Sequence, residues 1–360
     1  MKRIKTEDSF DNITIHKNAS IINTLKKMDA LHRKLLMVIE NNKFFSLISI
    51  GDIQRAIIAN IPLENSIESI LRKEVKTGSV NDSDEHLKAL MLEYRMEFLP
   101  IVDESQTIRH IYFWEDFFES VIPKVKKSIN VPVVIMAGGE GRRLKPLTNV
   151  IPKPLVPFAD KTIIEKILDN FVETGCNNFY LSINYKAGLI RHFFTELANP
   201  HYNISYFQES KPLGTAGSLS LLKDVFNETF FISNCDIIIE QDYSEIYDFH
   251  KINNYDITVV AAMKHVLIPY GIIETEENGK LFSLIEKPEL TFKINSGFYL
   301  VEPKVLAFIP SDTIFHFTDL INKVREINGK IGVFPVSRKS WVDIGTWQEY
   351  LYNQSFTDNK

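Results

Sequence analysis

Short apolar runs alternate with longer amphipathic stretches along most of the chain. Near the amino terminus the alternation occurs twice: Lys34-Leu-Leu-Met-Val-Ile-Glu40 and Glu97-Phe-Leu-Pro-Ile-Val-Asp103 match with a shift of about 63 residues. Each run follows a helical segment, Ser20–Leu31 or Asp84–Tyr94, and leads through a turn into a second strand and an acidic helix start. Those starts are Ser49-Ile-Gly-Asp52 and Phe113-Trp-Glu-Asp116. Two copies of a helix-strand-strand-helix unit, each too small for its own core, are predicted to pack against one another. The basic stretch Pro123–Asn130 then breaks the pattern, which predicts two domains, residues 1–125 and 126–360.

Beyond the break, strands are predicted at Val131–Met136, Asn178–Ile183, Ile204–Phe207, Phe230–Ser233 and Asp256–Ala262. Helices are predicted at Thr162–Thr174, Leu189–Leu197 and Ser218–Val225, and Tyr270–Ile285 reads as a hairpin turned at Glu277-Asn-Gly279. This alternation predicts an α/β domain with a mostly parallel sheet and helices on both faces. The composition, 44% hydrophobic and 24% charged, excludes disordered and fibrous classes. A net charge of −5 gives no global pull toward nucleic acid or an anionic membrane, so neither partner is expected and an anionic substrate needs local cations. Cys176 and Cys235 cannot make a disulfide framework and fit a reducing cytosol. The chain opens with no signal-peptide pattern and its apolar runs are too short to span a bilayer, so a soluble, cytoplasmic protein is expected.

The first strand of the second domain runs into Ala137-Gly-Gly-Glu-Gly-Arg-Arg-Leu144. Gly138, Gly139 and Gly141 free backbone amides to face a phosphate, and Arg142, Arg143 and Lys145 add charge beside them. Taken alone, the segment reads equally as a glycine turn with solvated arginines. It matches neither a dinucleotide fingerprint nor a Walker loop. Lys153 and Lys287 each precede a proline, in Pro152-Lys-Pro and Glu286-Lys-Pro, and together suit the holding of one phosphate apiece. Gly214 and Gly217 are predicted to open a helix and to let backbone approach a base or ribose, although a plain helix-starting turn fits as well. Asp236 ends a strand and Asp343 precedes a glycine turn; two carboxylates plus substrate phosphates suit Mg²⁺, while either alone fits a cap.

Taken in order, these motifs resemble the sugar-1-phosphate nucleotidyltransferases. The set is Ala137-Gly-Gly-x-Gly-x-Arg143-Leu, Pro152-Lys153-Pro, Pro212-Leu-Gly-Thr-Ala-Gly217, Asp236, Glu286-Lys287-Pro, Asn295-Ser-Gly297 and Asp343-Ile-Gly-Thr346. The resemblance implies a Rossmann-like, GT-A-like fold with a mostly parallel mixed sheet. It implies in-line attack by the sugar phosphate on the α-phosphorus of a nucleotide, releasing pyrophosphate. Arg143 and Lys153 would serve the reacting phosphates, Asp236 and Asp343 would hold Mg²⁺, and Lys287 would grip the sugar phosphate. Gly271, Glu286 and Asn295 would bond sugar hydroxyls, and Gly138 and Gln208 would face the base, in a nucleotide site that also takes in Ala137, Gly139, Gly141, Arg142, Gly214 and Thr215. Arg142 departs from the Thr or Ser common at that position, which puts a hydroxyl contact to phosphate in doubt.

Residues 8–122 resemble a tandem pair of cystathionine-β-synthase (CBS) domains, an α+β module whose ribose-binding pattern is Ser/Thr-x-x-Asp. The first repeat has it as Ser49 and Asp52; the second keeps Asp116 but has Phe113 for the hydroxyl residue. A nucleotide ligand there and plain helix capping are both open readings. CBS pairs also imply a homodimer. The Pro-Leu-Gly-Thr-Ala-Gly loop resembles guanylyltransferases of the mannose and manno-heptose type. A CBS pair ahead of such a domain resembles the glucosamine-1-phosphate guanylyltransferases of legionaminic acid synthesis. The expected substrates are therefore GTP and glucosamine 1-phosphate, with mannose or heptose 1-phosphate, or cytidylyl or uridylyl transfer, as alternatives. A nucleotide-sensing regulatory module is the non-enzymatic alternative.

Overall fold

The computed structural model describes residues 12–94, 96–118 and 127–357. The chain divides into two units, Met1–Val125 and Lys126–Lys360. Residues 123–126 of the predicted boundary, and 8–11, 95 and 119–122 of the repeat region, lie outside the described residues.

The first unit contains, in order, β1 (Thr14–His16), α1 (Ile21–Leu31), β2 (Leu35–Glu40), β3 (Lys43–Ser49), α2 (Ile50–Ile58), β4 (Gly78–Ser79), α3 (Asp84–Tyr94), β5 (Phe98–Val102), β6 (Ile108–Phe113) and α4 (Trp114–Phe117). One topology is used twice. In each three-stranded sheet the first strand runs parallel to the second and the third returns antiparallel. Met37 and Leu47 of the first copy share one core with Phe98, Leu99 and Ile111 of the second, so each copy completes the other's apolar face.

Ser49 and Asp52 form a capping box at the start of α2, and Asp116 accepts from the Phe113 amide at 2.8 Å at the start of α4. Asp52 is 5% exposed and also takes Arg72 Nε at 2.9 Å and the Arg55 guanidinium. Burial alone would raise this carboxyl, but bonds from Arg72 and Ser49 outweigh it and hold it below its ordinary value. A folded pKa below the unfolded one stabilises above about pH 4 and is lost as pH falls. Asp52→Asn is expected to cost about 2 kcal/mol at neutral pH. In thermal melts of the full chain, the gap between wild type and variant is expected to close toward about pH 3.

The second unit contains β7 (Val133–Met136), β8 (Pro157–Phe158), β9 (Lys161–Thr162), α5 (Ile163–Val172), β10 (Asn178–Ile183), α6 (Ala187–Leu197) and β11 (Asn203–Gln208). Then come β12 (Phe230–Asn234), β13 (Ile237–Ile239), α7 (Tyr243–Asn253), β14 (Ile257–Leu267), β15 (Ile272–Thr275), β16 (Leu281–Ile285) and β17 (Glu289–Val301). It ends with α8 (Phe317–Glu326), β18 (Ile331–Val336), β19 (Trp341–Asp343) and α9 (Trp347–Thr357). Seven strands make one sheet in the order β11-β10-β7-β12-β17-β14-β18, mixed but mostly parallel, with β17 antiparallel to both its neighbours.

Strand periodicity explains the layers. Val133 and Ile135 of β7 enter one core with Ile163, Ile167 and Phe171 of α5, whereas Val134 enters the other with Leu320 and Val324 of α8. Thr162 starts α5 with a capping box to Glu165. The sequence expectation fails at Ser218–Val225, where a 3₁₀ segment, Gly217–Leu222, stands in place of an α-helix. The Ala216 and Gly217 amides both donate to Phe315 O at 3.0 Å, so this start is tied to a distant loop rather than to its own next turn. Helix α7 has no counterpart among the predicted elements, and β14 runs five residues past its predicted end. Among the described residues no helix is long and apolar enough to cross a membrane.

Candidate functional site

The parallel strands β7, β10, β11 and β12 all deliver their carboxyl ends to one side of the sheet, where open α/β sheets take ligands. A cleft of ≈ 560 Å³ lies there, bordered by Gly138, Gly139, Gly141, Arg142, Arg143, Lys153, Glu209, Gly214 and Asp236. A second cavity of ≈ 270 Å³ is lined by Asn295, Tyr299 and Asp343. Arg143, Thr215, Asn234 and Asp236 line both, so a molecule in either chamber meets the same charged seam.

The seam is built by short elements. Strands β13 and β19 pair antiparallel with Ile237 opposite Asp343, which sets Asp236 beside Asp343, and the Ile344 amide fixes this by donating to Asp236 O at 2.9 Å. Three groups surround Gly345: from where a side chain would begin, Asp343 Oδ1 lies at 2.7 Å, an Arg143 guanidinium nitrogen at 3.2 Å and Asp236 Oδ2 at 3.5 Å. Lys153, 7% exposed in a 3₁₀ turn that starts after Pro152, reaches Asp236 in an ion pair. Burial and then the Asp236 charge hold the Asp343 carboxyl above its ordinary value. Two mutually repelling carboxylates side by side on the wall of the smaller chamber fit a hard divalent cation. Asp236 and Asp343 would hold it, and it would offset phosphate charge. No group of three or more His, Cys, Asp or Glu able to hold a metal occurs among the described residues, so further ligands would come from substrate and water.

Other candidates take definite places. Arg142 is turned onto Glu140 at 2.8 Å, so its charge is neutralised locally, whereas Arg143 faces both chambers. Ala137 is fully buried in the core and lines neither chamber. Gly214 and Gly217 are required by packing: a side chain on either would start 2.7 Å from a backbone carbonyl of the 313–315 segment. Thr215 Oγ1 accepts from the Phe317 amide at 3.0 Å and so ties the chamber wall to the start of α8. Asn295 lines the smaller chamber and donates to Tyr299 Oη at 2.8 Å. Gly271, Glu286 and Lys287 sit together on the exposed β15–β16 hairpin and its flanks and line neither chamber.

Gln208 is exposed and lines neither chamber; the next residue, Glu209, does instead. Glu209 is 9% exposed, accepts from the Leu213 amide at 3.0 Å through Oε2, and presents Oε1 beside Gly138. The periodicity of β11 gives no warning, because exposed Asn203 and Ser205 alternate with Ile204 and Tyr206 on one core, but Phe207 then packs on the other core and breaks the alternation just before these two residues.

A family model described as nucleotidyl transferase matches residues 132–360, which is the whole second unit apart from its first residues. The chain belongs to the nucleotidyl transferase family. Mannose-1-phosphate guanylyltransferase 1 of Arabidopsis thaliana is 33% identical over 226 residues, 61% of this chain and 62% of that protein. Mannose-1-phosphate guanylyltransferase catalytic subunit beta of Drosophila pseudoobscura pseudoobscura is 31% identical over 235 residues, 61% of this chain and 60% of that one. The match thus spans less than two thirds of those relatives. The crystal structure of HddC from Yersinia pseudotuberculosis is 25% identical, with a TM-score of 0.51, covering 63% of this chain and 99% of that one. The two chambers share Arg143 and Asp236, so two molecules held side by side in them would meet the same charged pair.

Proposed function

We propose that the chain transfers GMP from GTP to a sugar 1-phosphate, giving a GDP-sugar and pyrophosphate. The observation that carries this reading is the Glu209 carboxylate in the larger chamber. A carboxylate only accepts hydrogen bonds, and guanine alone among the common bases offers two adjacent donors, N1–H and N2–H₂, on its Watson–Crick edge. Adenine and cytosine present an acceptor at the matching ring nitrogen, and uracil flanks its single N–H with carbonyls.

In the reaction a sugar-phosphate oxygen bonds to the α-phosphorus in line with departing pyrophosphate. Arg143 and Lys153 offset the charge that gathers on the phosphoryl oxygens, and no protein nucleophile is needed. Mg²⁺ held by Asp236 and Asp343 is part of the proposal. Glucosamine 1-phosphate is the proposed sugar, on the resemblance of residues 8–122 to a CBS pair; mannose 1-phosphate is the second reading, favoured by the names of the relatives. We read the 1–125 and 126–360 units as a regulatory, dimerising domain and a catalytic domain of a cytoplasmic homodimer. Asp52 would have to release Arg72 to accept a ribose.

The deciding assay is Mg²⁺-dependent pyrophosphate release across four NTPs and a panel of hexose and heptose 1-phosphates. GTP is expected to be used in preference to the other three. Glu209→Gln is expected to lower kcat/KM for GTP by about 30-fold, the worth of a charge-assisted hydrogen bond, while leaving slow use of the other nucleotides unchanged. Equal losses for all four nucleotides would remove Glu209 from base selection.

A further inference from the structure

Helix α9 lines neither chamber, yet three of its side chains donate to backbone carbonyls of three segments that carry reacting groups. Trp347 Nε1 donates to Lys145 O at 2.8 Å, two residues beyond Arg143. Tyr350 Oη donates to Pro157 O at 2.9 Å, four residues beyond Lys153. Asn353 Nδ2 donates to Asp343 O at 3.2 Å and also to Glu349 O of its own helix at 2.8 Å. The donors recur every three residues along one side of the helix, and the first two rings pack edge to face at 5.8 Å. Arg338 braces the helix from the loop before β19, reaching Glu349 at 3.5 Å and Trp341 O at 3.2 Å.

The three acceptor segments have little regular structure of their own. Lys145 follows a three-residue 3₁₀ turn, β8 has two residues and β19 three. Short ladders leave each segment free to shift by itself, and misplacement of a reacting group by about 1 Å costs about 10²-fold in rate. We infer that α9 sets the relative positions of Arg143, Lys153 and Asp343, and that Trp347, Tyr350 and Asn353 are positioning residues for the reaction. The kinetic half of this inference rests on the transferase reading above; the structural half does not.

The test uses Trp347→Phe, Tyr350→Phe and Asn353→Leu in the full chain. Asn353→Leu is expected to raise the Mg²⁺ concentration at half-maximal rate by about tenfold, with KM for GTP at saturating Mg²⁺ changed less than about twofold. Trp347→Phe is expected to do the reverse, raising KM for GTP by about tenfold and sparing the Mg²⁺ response. Tyr350→Phe removes one hydroxyl without opening a cavity, so it guards against misfolding; kcat is expected to fall by about fivefold. Amide hydrogen exchange should quicken at 343–345 in Asn353→Leu and at 141–145 in Trp347→Phe, each without the other. Variants that lose kcat in step with melting temperature, with no split between Mg²⁺ and GTP, overturn the inference. If wild type releases no pyrophosphate from any NTP, the functional reading fails and exchange alone decides. Local acceleration then retains the positioning role, and uniform or absent acceleration overturns it.

Discussion

Asp236→Asn is expected to lower pyrophosphate release by about three orders of magnitude, equivalent to about 4 kcal/mol of lost transition-state stabilisation. The carboxylate borders both chambers, pairs with Lys153 and lies next to Asp343, so one neutral substitution acts on all three. It frees Lys153 from its partner, and a lysine that is 7% exposed then has to find phosphate or water. It also halves the fixed negative charge available to a divalent cation. A second consequence separates this from simple unfolding: excess Mg²⁺ should not restore the rate, because Lys153 has lost its anchor as well. A melting temperature within a few degrees of wild type would place the loss in the chemistry. Unchanged turnover would remove Asp236 from the reaction.

What the chain's pattern revealed and what it hid divide along physical lines. Strands β7, β10 and β12 are buried on both faces and read as continuous apolar runs, so their positions were legible. The doubled unit was legible because its two copies repeat the same apolar spacing. Arg143, Lys153, Asp236 and Asp343 could be singled out because each stands beside a glycine, a proline or a strand end. That Arg143, Asp236 and Asp343 meet around Gly345, with Lys153 paired to Asp236, could not, since β13 and β19 are separated by about 100 residues and pair only in the folded chain. Thr215 looks like part of a glycine loop but also caps a helix 102 residues away. Glu209 lines the larger chamber where the pattern points to Gln208, because Phe207 breaks the alternation of this edge strand and conceals its phase. Helix α9 was hidden for a different reason: its work is done by side-chain donors to backbone carbonyls, and a carbonyl leaves no mark on sequence.

Gly345→Ala is expected to reduce kcat by about 10²- to 10³-fold, far more than its modest cost in stability would explain. The backbone at Gly345 lies outside the left-handed region, so alanine meets no conformational barrier there. The cost is local and steric. A methyl group would stand 2.7 Å from Asp343 Oδ1, closer than real contacts come, and a tight 3.2 Å from an Arg143 nitrogen. The Asp343 carboxylate is held from the same side by the Gly345 amide at 2.6 Å, so it cannot turn away without losing that bond. Relief of the shorter contact therefore displaces Asp343 from that bond, while the exposed Arg143 gives way at the longer one. The variant should therefore show a large fall in kcat, a rise in KM for the nucleotide and a loss of stability limited to about 1 kcal/mol, the worth of the bond Asp343 gives up. Gly188→Ala supplies the contrast: it sits in α6 with no atom within 4 Å of a new side chain, and it should leave turnover at the wild-type level while stabilising the helix by about 0.5–1 kcal/mol. If Gly345→Ala turned over as fast as Gly188→Ala, Asp343 and Arg143 would not need the positions they hold around that glycine.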